Sequence, residues 1–78
     1  MFIYLFYTVS YNNNIFNING STNLNGAVTN NATMHIDAVV TGTAVITNTS
    51  GATLELATNA AVSNAIHNNA GGIVNITG

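Results

Sequence analysis

Seventy-eight residues allow one small domain at most, and a chain this short buries only about 60% of its unfolded surface on folding. It has no Cys for disulfides or thiolate metal sites, no Lys or Arg, and only Asp37 and Glu55 as formal charges, so its net charge is −2. The missing cations exclude recognition of a phosphate backbone and attraction to anionic headgroups, while 47% apolar against 3% charged residues argues for β-structure rather than a solvated coil.

The first predicted element is an apolar aromatic segment, residues 1–11 (MFIYLFYTVSY), which holds all three Tyr and two of the three Phe. It lacks the basic start and small-residue cleavage site of an export signal, and it is shorter than the ~20 apolar residues of a membrane helix. A buried or edge strand is the expectation. Residues 12–27 follow as an Asn-rich first partial rung, and residues 28–78 as the repeats proper.

The repeat is carried by three aligned segments. Asn31-Ala32-Thr33-Met34-His35-Ile36, Gly51-Ala52-Thr53-Leu54-Glu55-Leu56 and Gly71-Gly72-Ile73-Val74-Asn75-Ile76 place apolar pairs 20 residues apart. Each pair brackets one polar residue, which is the period-2 pattern of a strand with one buried face. Ile46-Thr47-Asn48 and Ile66-His67-Asn68 repeat at the same 20, whereas Val28-Thr29-Asn30 and Phe16-Asn17-Ile18 match their downstream partners at 18. Two short strands per repeat are expected, because ~20 residues are too few for a βαβ unit, and Asn, Thr and Gly disfavour helix. The predicted fold is all-β: a short right-handed parallel β-helix, or β-solenoid, of about three rungs. Met34, Leu54 and Val74 would form one inward column; Ile36, Leu56 and Ile76 a second; Val28, Ile46 and Ile66 a third. Asn30, Asn48 and Asn68 fall at equivalent positions and are expected to hydrogen-bond along the axis as a ladder, with strands about 4.8 Å apart.

The run from Val28 to Gly78, with Ala52-Thr53-Leu54-Glu55-Leu56 and Gly71-Gly72-Ile73-Val74-Asn75-Ile76 as its clearest phrases, resembles the passenger domains of bacterial autotransporters. It is most similar in kind to rickettsial surface-cell antigens of the outer-membrane-protein-B type. The resemblance implies a segment at the cell surface or outer membrane, adhesin-like, with a host-cell surface or matrix protein as partner. No translocating barrel accompanies it, so a fragment of a longer parent is expected.

Few side chains offer chemistry. His35 and Glu55 occupy equivalent outward positions with Asn75 next, but two candidate ligands fall short of the three or four protein ligands usual for a metal. Asp37 is expected at a corner and His67 facing solvent. Ser10, Ser21, Ser50 and Ser63 stand in turn-like contexts with no nucleophile elbow around them. Two carboxylates at different points along the strand do not make a glycosidase pair. No catalytic, cofactor-binding or metal residues are therefore assigned, and no enzyme, small-molecule substrate or nucleic acid is expected. Self-association through open solenoid ends, in an amyloid-like assembly, is the rival expectation, since solenoids normally need polar caps, and a gene fragment without function is the third.

Overall fold

A computed structural model describes the backbone of residues 4–6 and all of residues 10–78. Residues 1–3 and 7–9 of the aromatic segment lie outside the described residues; within the segment the described residues form β1 and the start of β2. Twelve short strands follow in chain order: β1 (Tyr4–Phe6), β2 (Ser10–Asn12), β3 (Ile15–Ile18), β4 (Thr22–Leu24), β5 (Val28–Asn30), β6 (Thr33–Ile36), β7 (Val39–Thr41), β8 (Ile46–Asn48), β9 (Thr53–Leu56), β10 (Ala61–Val62), β11 (Ile66–Asn68) and β12 (Ile73–Ile76).

They pair only in parallel and only with strands one coil away. Three four-stranded sheets result, ordered β1-β4-β7-β10, β2-β5-β8-β11 and β3-β6-β9-β12. Each coil contributes one strand to each sheet, which makes the described residues a three-sided β-solenoid of four coils, a little over three turns. Met34 pairs with Leu54, Leu54 with Val74, and Val28 with Ile46, so the columns read from the sequence are the ladder registers. Residues of all three sheets meet in one core, including Leu24, Val28, Met34, Val40, Ile46 and Leu54.

Three strands per coil replace the expected two. The extra sheet was hidden because its inward column reads Thr22, Val40, Val62, polar at one end and spaced first by 18 and then by 22. Thr22 is buried because its hydroxyl donates to the Gly20 carbonyl at 2.8 Å, which removes the cost of placing a polar group inside.

The change from 18 to 20 residues has one location. Asn31 and Ala32 alone separate β5 from β6, whereas Thr49 to Ala52 separate β8 from β9. In the longer corner the Ala52 N–H donates to the Thr49 carbonyl at 3.0 Å, and Gly51 stands third in the turn at φ +83°. The next coil repeats this at Asn69 to Gly72, with Gly71 at φ +88°. A positive φ at that position is what a type II turn demands, and Gly adopts it without steric cost.

Candidate interaction surface: the outer columns and the two ends of the stack

The ionisable side chains lie outside the core. His35 pairs with Glu55 across β6 and β9, and Glu55 with Asn75 across β9 and β12, as the repeat implied. His35 Nδ1 and Glu55 Oε1 lie 3.4 Å apart, both side chains about one-third exposed rather than fully so. Water competes for such a pair, so its net contribution is under about 1 kcal/mol. Asp37 sits in the corner after β6, where its Oδ1 accepts the Asn59 N–H at 3.0 Å. His67 is exposed on β11 beside Thr47. Among the described residues no three His, Cys, Asp or Glu come together. Ser63 Oγ donates to the Val40 carbonyl.

The interior polar groups form the more informative array. Asn12 Nδ2 donates to Asn30 Oδ1 at 2.8 Å, Asn30 Nδ2 to Asn48 Oδ1 at 2.8 Å, and Asn48 Nδ2 to Asn68 Oδ1 at 2.9 Å. The second N–H of each amide turns into the adjoining corner. Asn30 reaches the carbonyls of Ala32 and Thr53, and Asn48 those of Ala52 and Ile73. Asn30 and Asn48 are fully buried. The ladder therefore does two jobs: it joins the coils, and it gives a second hydrogen bond to corner carbonyls that already accept a backbone N–H, those of Ala32 and Ala52.

Asn12 was not assigned to the ladder from the sequence. The signal was present, because Asn12 precedes Asn30 by the same 18 residues that separate Phe16 from Met34. Asn64 was missed as well, since it stands where earlier coils carry Ala44 and has no repeat partner. It is buried, its Nδ2 donates to the carbonyls of Ala44 at 3.1 Å and Leu24 at 3.3 Å, and its Oδ1 has no partner.

At the first-coil end Ser10, Asn12, Phe16, Leu24 and Val28 border a hollow of about 220 Å³ with Tyr11 at its rim. Its described lining is mostly apolar and carries no charge, so it offers nothing that would hold an ionic substrate.

Compared with protein-family models, curated proteins and solved structures, the chain matches none. Its surface must speak for itself. Two outer columns share one pattern along the stack: Tyr11, Thr29, Thr47, His67 on one sheet and Ile15, Thr33, Thr53, Ile73 on another. Thr fills the middle coils, and larger side chains stand only on the outermost two. Tyr11 is 67% exposed, Ile15 68% and Ile73 51%. Ile76 continues the inward column of Ile36 and Leu56 yet is 76% exposed, because no described coil lies beyond it.

Proposed function

We propose that this chain is a structural and adhesive segment of a surface-displayed β-solenoid of the autotransporter-passenger kind, with no catalysis of its own. The observation that supports this reading is the stack itself: three sheets held in register over four coils, with outer positions that are mostly uncharged Thr, Asn, Val and Ala. Such faces are long, regular and chemically bland, which suits spacing, display and low-specificity contact with another protein. Among the described residues no three His, Cys, Asp or Glu come together, which fits that reading. The partner would be a host-cell surface or matrix protein, met by neutral side-chain columns rather than by charge.

The test is surface proteolysis of intact source cells followed by mass spectrometry. Trypsin has no site in a chain without Lys or Arg, so proteinase K is the reagent. Release of peptides from residues 28–78 is the expected result, with binding of the purified chain to matrix proteins measured next. Recovery of those peptides only after lysis would overturn the reading.

A further inference from the structure

The ladder has a direction, and direction makes the two ends of the stack different. In every step the earlier Asn donates and the later Asn accepts. Asn12 Oδ1 is left with a single 3.4 Å contact from the Asn14 N–H, and Asn68 Nδ2 with only the Gly72 carbonyl at 2.9 Å. One end thus offers an acceptor where the other offers a donor. The edges match in the same way, since β1, β2 and β3 bound the three sheets on one side and β10, β11 and β12 on the other.

We infer that the last coil of this chain, β10 to β12, docks onto the first coil of a second copy, in the same strand direction and in ladder register. Placing β11 against the next copy's β2 continues the amide chain from Asn68 to Asn12. Placing β12 against the next copy's β3 sets Val74 over Phe16 and Ile76 over Ile18, extending both inward columns. The outer columns then explain their odd ends. Ile73 falls beside Ile15, His67 beside Tyr11, and Asn75 beside Asn17, so each large exposed residue gains a partner of its own kind or an aromatic one. Cross-strand neighbours of this type are favourable in sheets.

Charge does not oppose the contact. Proteins commonly guard a sheet edge with Lys, Pro or an inward charge. The last coil has no Asp, Glu, Lys, Arg or Pro between residues 61 and 78, and neither has the chain before residue 37. Tail-to-tail pairing is disfavoured by the same ladder, because it would set donor against donor and reverse the strands. The junction is independent of where the chain is displayed, so its failure and that of the surface reading are separate results.

The absence of native Cys makes the test clean. Purified 78-residue chains carrying Ile15→Cys or Ile73→Cys would be mixed, and each kept alone, then treated with a short thiol crosslinker. Circular dichroism would verify that each keeps its β-content. Neighbouring parallel strands lie about 4.8 Å apart, within the reach of such a link. Cross-linked dimers in the mixture but not in either single sample, and a ladder of oligomers from the doubly substituted chain, are the expected result. Dimers from Ile73→Cys alone, or a monomer without cross-links up to about 1 mM, the weak limit of specific affinity, would overturn it. Asn68→Asp supplies the second arm, since it keeps the acceptor for Asn48 but removes the outgoing donor. Association roughly tenfold weaker is expected from losing one such hydrogen bond to a charge clash. Unchanged association would show that the ladder does not hold the junction.

Discussion

Replacing Asn48 with Ala isolates the interior ladder. The side chain is fully buried, accepts from Asn30 and donates to Asn68, Ala52 and Ile73. Its loss strands one N–H of Asn30, which has no water to turn to and whose other partners already take its second hydrogen. An orphaned buried donor costs about 1–3 kcal/mol, and each lost hydrogen bond about 1 kcal/mol net. The Ala52 carbonyl keeps the Ile73 N–H at 2.9 Å, so it adds little. With the lost bonds to Asn68 and Ile73, the sum is a loss of about 3–5 kcal/mol. A chain of this size has a total stability of roughly 4–12 kcal/mol, so the substitution removes a large share of it. Urea unfolding at low concentration, followed by circular dichroism, measures the change. With a slope of about 1 kcal/mol per M the midpoint falls by ~3–5 M, or the chain is unfolded at the outset. Asn68→Ala is the internal control, since Asn68 is exposed and water replaces what it loses; under about 1 kcal/mol is expected there. Equal losses at Asn48 and Asn68 would refute the claim that burial of the amide, rather than its mere presence, sets the cost.

Leu54→Ala empties the middle of a fully buried column and is expected to cost about 2–5 kcal/mol, read from the same urea curves. Gly42→Ala combines φ +113° with a Cβ that would run into the Leu24 carbonyl oxygen, so a loss above ~3 kcal/mol or failure to fold is expected. Gly51→Ala meets open space at φ +83° and pays only the left-handed penalty of about 1–2 kcal/mol, a contrast that thermal melting of the two variants resolves. Glu55→Gln removes a pair with His35 that is about one-third exposed, and a shift below about 1 kcal/mol is expected in urea.

Two of the three sheets were legible because their inward residues are large, aliphatic and evenly spaced. Met34, Leu54 and Val74, and Val28, Ile46 and Ile66, needed only alignment. The sheet of Thr22, Val40 and Val62 was not legible, since its strands shrink to two residues at β10 and both flanking corners change length in the last coil. The Asn30, Asn48 and Asn68 ladder was visible as a column, but its second task of closing the corners appears only with the backbone in place. Asn64 could not be read at all. Its burial comes from reaching backward over two coils to Leu24 and Ala44, a contact that periodicity does not encode.

The corners and the columns obey opposite rules, and this decides where the sequence is free to vary. A corner that grows from two residues to four closes its own hydrogen bonds, as Ala52 to Thr49 and Gly72 to Asn69 show, so added length costs the stack little. An inner ladder position has less freedom, because Asn30 and Asn48 each bond to the Asn on both sides as well as to nearby carbonyls, and a different side chain breaks the bonds to both neighbours. Outer positions sit between these limits. Thr33 and Thr53 face one another in the middle coils, yet the same column turns to Ile15 and Ile73 on the end coils, where the column neighbour of each among the described residues is a Thr. If the ends faced only solvent, Thr would serve there as it does in the middle. The exchange of Thr for Ile and for Tyr11 or His67 at those coils supplies the side chains that the junction between copies proposed above would use.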